Sequence, residues 1–162
     1  MKHFSKIAAG LLVGMIGLNS CVKEKDFPVV PSIEFKGYTM YGKDSADCTI
    51  KFKDGDGDIG SGDGDSTLAL KMKYLYKGTD NLFHPYDYDL TDTVFDTLFY
   101  AFKVPYLTPD GQYKALDGEI MTKLRAAPIY APMHHVVKFE ITLMDRAGHI
   151  SNTVSTNEIV IP

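Results

Sequence analysis

The chain has 162 residues, with 17 Lys and Arg against 21 Asp and Glu, a formal net charge of −4, and 44% hydrophobic residues. That balance belongs to a globular chain, and without a basic excess it excludes nucleic acid as a partner held by charge. Two cysteines allow at most one intrachain disulfide, so the fold has to rest on a core rather than on cross-links.

Lys2, His3 and Lys6 precede an apolar run from Ile7 to Leu18, which ends in Leu18-Asn19-Ser20-Cys21. The run is too short to span a bilayer, which takes about 20 apolar residues. The segment resembles a bacterial lipoprotein signal, with Asn19 a mild departure from the usual pattern before the cysteine. The resemblance implies that residues 1–20 are removed and that Cys21 is acylated and becomes a membrane anchor. Losing residues 1–20 removes two lysines and no acid, leaving 142 residues with 15 basic and 21 acidic side chains, a net charge of −6. With Cys21 acylated, Cys48 is the one remaining thiol, and its place among apolar residues of a strand reads as structural.

Residues 21–31 form a charged, proline-punctuated tether of at most about 35 Å between lipid and fold. Residues 32–162 then alternate with the two-residue period of strands. The alternation is clear at Ile33, Phe35 and Gly37; at Cys48, Ile50 and Phe52; and at Leu68, Leu70, Met72, Tyr74 and Tyr76. It continues in an apolar run from Val94 to Val104, in Glu119 to Leu124, in Val137, Phe139, Ile141 and Leu143, and in a last strand ending at Ile159-Val160-Ile161. No segment keeps a helical period over three turns. The expectation is an all-β fold: one antiparallel β-sandwich, immunoglobulin-like, of about seven strands.

Between the second and third of these strands lies DGDGDIGSGDGD, residues 54–65, with five aspartates in twelve residues and no cation among them. A turn needs one or two Asp or Gly. Asp54, Asp56 and Asp58 alternate with glycines that let the chain curl its oxygens toward one point, a cage suited to a hard cation. Calcium accepts six to eight oxygens in tolerant geometry, whereas magnesium demands an octahedron and zinc prefers nitrogen or sulfur. The expected ligands are Asp54, Asp56 and Asp58, with Asp63 or Asp65 and a backbone carbonyl near Ile59 completing the shell. The loop resembles the DxDxDG calcium loops of EF-hands only in part. Ile59 stands where those place glycine, the closing glutamate is missing, and strands rather than helices flank it.

Further along, Phe83-His84-Pro85-Tyr86-Asp87-Tyr88-Asp89 is a polar aromatic stretch of the sort that stacks on a sugar or grips a protein. Phe83, His84, Tyr86 and Tyr88 are therefore candidate ligand contacts, against the alternative that the rings fold back on the sheet. His134 and His135, being adjacent, point to opposite faces of a strand and cannot share a metal. Asp145-Arg146-Ala147-Gly148-His149-Ile150-Ser151-Asn152 reads as a tight turn in which Asp145 caps amides, with Asp145 reaching the metal as the alternative. It resembles the D-x-A-G-N-x-S hairpin that closes many bacterial immunoglobulin-like domains, with His149 in place of the usual asparagine.

Taken in order, the lipoprotein signal, DGDGDIG, Tyr106-Leu107-Thr108-Pro109-Asp110-Gly111 with Gly118-Glu119-Ile120, and DRAGHISN resemble a group of small Bacteroidota lipoproteins. The resemblance implies a secreted, calcium-binding β-sandwich on the outer membrane. Lys23-Glu24-Lys25-Asp26 resembles the acidic signal that sends such lipoproteins to the cell surface. No Ser/His/Asp or metal-histidine constellation is legible, so no catalytic residue is assigned. The expectation is a non-catalytic surface module for a protein or glycan partner; the alternative is a calcium-dependent extracellular enzyme or glycan-binding protein.

Overall fold

A computed structural model describes residues 26–42, 45–87, 97–109, 114–125 and 134–161. Cys21 with its signal segment, Tyr88, and the first part of the Val94 to Val104 run lie outside the described residues.

The described chain is all-β. Its strands are β1 (Ser32–Tyr41), β2 (Ser45–Asp54), β3 (Leu70–Lys77), β4 (Phe83–Pro85), β5 (Phe99–Phe102), β6 (Leu116–Arg125), β7 (Val136–Leu143), β8 (Val154–Ser155) and β9 (Ile159–Val160). All pairings between these strands are antiparallel and fall into two sheets. One runs β1-β2-β6; in the other β3 and β7 pair centrally, with β4 and β5 beside β3 and β8 and β9 beside β7. The expected antiparallel β-sandwich is what the chain forms. The strands beyond the expected seven are short pieces such as Phe83–Pro85 and Val154–Ser155, which carry too few residues to show a period.

Alternation drives the packing. Ala46, Cys48, Ile50 and Phe52 on β2 and Leu70, Met72 and Tyr74 on β3 are buried, and every second residue of β7 from Val137 to Leu143 joins them. These residues from both sheets form one core, closed by Ile33, Leu124, Ile159 and Ile161. Tyr38 of the first sheet stacks on Phe139 of the second with ring centres 6.0 Å apart. Each such side chain contributes about 1.5–3 kcal/mol through removal from water. Cys48 is a free thiol inside this core, and burial pushes its pKa up to about 12, which makes it a packing residue and a poor nucleophile.

Part of the expected tether is docked. Pro31 is fully buried, Gly55 N–H donates to the Pro28 carbonyl at 2.9 Å, and Lys53 lies over the Phe27 ring. The segment from Phe27 onward thus lies against the start of the acidic loop.

Candidate metal centre

Alternation along β2 does not stop at Phe52. Asp54, the last residue of the strand, keeps the inward register of Ala46, Cys48, Ile50 and Phe52, so its carboxylate sits at the end of the core with 0% exposure. Its Oδ2 accepts the Asp58 N–H at 3.0 Å, curling the loop back on itself. Its Oδ1 is buried and has no hydrogen-bond partner. Asp58 repeats this arrangement: Oδ2 accepts the Ala147 N–H at 3.1 Å and Oδ1 is buried without a partner. One oxygen each from Asp54, Asp56 and Asp58 lies within 4.8 Å of the others. A buried polar atom left unpaired costs roughly 1–3 kcal/mol, more when charged, so two such oxygens on residues of one carboxylate cluster make it a group that could hold a cation.

The electrostatics agree. Burial pushes the Asp54 carboxyl up to about 6; the Asp58 amide opposes this, and the neighbouring Asp56 and Asp58 charges reinforce it. Asp58 is raised as well, by burial first and then by Asp145 and Asp56. Carboxyls in this state ionise less readily than free aspartates, and a nearby positive charge would ease their ionisation.

The loop is held from outside by three segments. Gly57 and Gly60 have φ of +69° and +81°, and a side chain on either would overlap the carbonyls of Lys114 and Pro105 respectively. Ile59 is fully buried and pins the loop into the core, which explains a large apolar residue at this position. Ser61 N–H donates to the Val104 carbonyl at 3.0 Å and Leu107 N–H to the Ile59 carbonyl at 3.0 Å. The third segment is the 145–149 turn. Arg146 N–H donates to the Asp58 carbonyl, and its guanidinium donates to the carbonyls of Ile59 (2.9 Å) and Gly60 (3.2 Å) and to Thr108 Oγ1 (2.7 Å), while lying 4.3 Å from the Tyr106 ring centre.

Asp145 caps its own turn. Its buried carboxylate accepts the His149 N–H and pairs with His149 Nδ1, both at 2.8 Å, and the contact raises the His149 pKa. The turn reading of this hairpin is therefore the one the geometry supports. What the sequence does not reveal is that the turn docks 87 residues away on the acidic loop, a contact that no local spacing encodes. Arg146→Ala is expected to lower stability by about 1–2 kcal/mol, since it removes charge-assisted hydrogen bonds to three acceptors. Denaturant unfolding of the variant measures the loss, and Arg146→Lys, lacking the planar fork, is expected to retain only part of the parent's stability.

Asp63 and Asp65 are not drawn into the group. Both are exposed in the following turn, where Asp65 Oδ1 accepts the Thr67 N–H (2.8 Å) and hydroxyl (2.6 Å). Of the backbone carbonyls near Ile59, the Ile59 oxygen itself already accepts from Leu107 and Arg146. Among the described residues, the carboxylates brought together are those of Asp54, Asp56 and Asp58.

The aromatic stretch lies toward the other end of β3, about 20 Å along the strand from its start at Leu70. Phe83 and Tyr86 turn to the sheet. Tyr86 packs edge-on against Tyr74, Tyr76 and His134, and Phe83 is covered by Lys138 at 4.6 Å. His134 stacks on Tyr76 at 4.1 Å and its Nδ1 lies 3.0 Å from the Tyr74 hydroxyl, while His135 is exposed. His84 pairs with Asp80 at 2.9 Å beside a shallow hollow shared with Tyr76 and His134. Of the four candidate contacts, Phe83 and Tyr86 serve to cover the sheet.

Comparisons with protein families, with curated proteins and with solved structures return no match.

Proposed function

We propose that this protein is a non-catalytic, lipid-anchored surface module of the outer membrane, whose β-sandwich is stabilised by one calcium ion held by Asp54, Asp56 and Asp58. The observation that carries the metal is the pair of buried, unpartnered oxygens, Asp54 Oδ1 and Asp58 Oδ1, beside Asp56. Three carboxylates and no nitrogen or sulfur donor favour a hard cation, and a loop that leaves the remaining positions to water suits calcium's tolerance better than zinc's tetrahedron. The ion would bridge the end of β2 to the clasp formed by the 145–149 turn, making the loop a rigid end of the sandwich from which a protein or glycan partner can be met. Equilibrium dialysis against mixed calcium, magnesium and zinc, followed by metal analysis, tests the identity: one calcium per chain is expected, and preferential zinc or no metal contradicts it.

The anchor rests on the signal-like residues 1–20 and Cys21. Several acyl chains, at about 0.8 kcal/mol per buried methylene, give effectively permanent attachment. Cys21→Ala is therefore expected to move the protein from the membrane fraction to the soluble fraction, and the parent's mature amino terminus is expected at Cys21 by mass spectrometry. A variant that stays wholly with membranes overturns the anchor without touching the metal site.

A further inference from the structure

An exposed strand edge presents unpaired N–H and C=O groups that recruit further strands, and folded proteins usually blunt such edges. Among the described residues, this sandwich shortens, bends or caps every edge except one, which is guarded only by charged outward side chains. Beside β3 and β7 lie only the short strands β4, β5, β8 and β9. The β1 edge is broken by a bulge between Phe35 and Gly37 and capped by Asn152, whose side chain accepts the Ile33 N–H at 2.8 Å and donates to the Ile33 carbonyl at 2.9 Å. The remaining edge, β6, pairs with β2 over ten consecutive residues, from Ser45 opposite Arg125 to Asp54 opposite Leu116, with no shift of register. Every second residue of β6 thus turns its backbone groups away from β2 in a regular ladder.

We infer that β6 is a self-association edge, which pairs antiparallel with β6 of a second copy about a two-fold axis through Met121 and joins two three-stranded sheets into one of six.

The side chains of β6 select both the partner and the register. Asp117, Glu119, Met121 and Lys123 share the outward face, and Met121, at 61% exposed, is an unusual apolar residue to find there. Antiparallel strands related by a two-fold axis pair residues whose numbers have a constant sum, and because backbone groups alternate in direction that sum must be even. Centring on Met121 sets Met121 against its own copy and Glu119 against Lys123 on both sides, acid against base. Centring on 119 or 123 sets like charges together, and centring on 120 or 122 sets a charge against Met121. Only the Met121 register satisfies every outward pair, each directly opposed pair contributing about 0.2–1 kcal/mol. Lys36, which contacts Glu119 at 2.6 Å from across the sheet, lies on the side away from the partner and is compatible with the pairing.

The test uses the full chain in a non-ionic detergent. Sedimentation across the micromolar to millimolar range is expected to show a monomer–dimer equilibrium. Glu119→Lys and Lys123→Glu, each placing like charges opposite one another twice, are expected to weaken it by at least about tenfold. An equimolar mixture of these two variants, and the doubly exchanged chain, are expected to restore it. Under mild oxidation Met121→Cys is expected to form a cross-linked dimer, whereas Lys123→Cys is not, because in this register position 123 lies four residues from its own copy. A parent that stays monomeric throughout, charge variants that associate like the parent, or cross-linking at 123 in preference to 121 overturns the proposal.

Discussion

Removing calcium with a chelator is expected to lower the melting temperature of the chain by on the order of 10 °C. A ligand that binds only the folded state stabilises it by RT ln(1 + [L]/Kd), about 2.7 kcal/mol at a hundredfold excess over Kd. Loops with few protein carboxylates, of the extracellular type, bind calcium with Kd around 10⁻⁴ M, so about 10 mM calcium supplies that excess. For a domain of this size each kcal/mol moves the midpoint by roughly 3–5 °C. The effect should fall on the whole fold, because Asp54 ends a core strand and Asp58 is tied to the 145–149 turn. Thermal unfolding in chelator and in calcium measures it, and magnesium at the same concentration is expected to give a much smaller shift.

The second large effect is a reversed pH dependence in the metal-free protein. An aspartate in an ion pair usually adds stability as pH rises. Asp54 does the opposite. Its folded pKa, about 6, lies above the unfolded value near 3.8, so between these limits the folded state holds a proton that the unfolded state has lost. Its contribution is fully present below about pH 4 and disappears as pH rises to 6, a loss of about 3 kcal/mol at 1.36 kcal/mol per pKa unit. Asp58, also raised, adds in the same direction, while the exposed Asp65 and Asp80, both lowered by their hydrogen bonds, run the other way in a solvated setting. Calcium, if bound as proposed, would replace that proton with a fixed positive charge. In chelator the melting temperature should therefore fall from pH 4 to pH 7; in calcium it should hold or rise, and the two curves should diverge with increasing pH. Parallel curves would mean that no ion meets these carboxylates.

Much of this site is legible in the amino-acid sequence. Residues Ala46 to Phe52 alternate so regularly that β2 is plain, and extending the same period by one step places Asp54 inward, which is the signal for a buried ligand. The glycine spacing of 54–58 likewise announces a curled loop, and three of its aspartates do converge. Asp63 and Asp65 look identical in sequence, yet Gly60 and Ser61, locked to Pro105 and Val104, send the chain into a separate turn. Which acid reaches the centre depends on contacts with residues 104–107, far away in the chain. The Arg146 clasp is hidden from local sequence for the same reason. The aromatic stretch misleads in the other direction: Phe83 and Tyr86 suggest a ligand platform by composition, but Tyr74, Tyr76 and His134 offer Tyr86 a packing surface, and Lys138 covers Phe83, neither of which local sequence displays.

The central claim, that a buried aspartate at the end of β2 organises a calcium site, is tested most directly by calorimetric titration of calcium into the parent and into Asp54→Asn, each followed by thermal unfolding. The substitution keeps the shape and removes a charge that is costly to bury when no ion is present. The parent is expected to bind one calcium per chain with submillimolar affinity and to gain stability from it. The variant is expected to bind none, to melt at one temperature with or without calcium, and in chelator at pH 7 to be more stable than the parent. A parent that shows no binding heat up to millimolar calcium and melts identically in chelator, or an Asp54→Asn chain that binds as the parent does, would contradict the account.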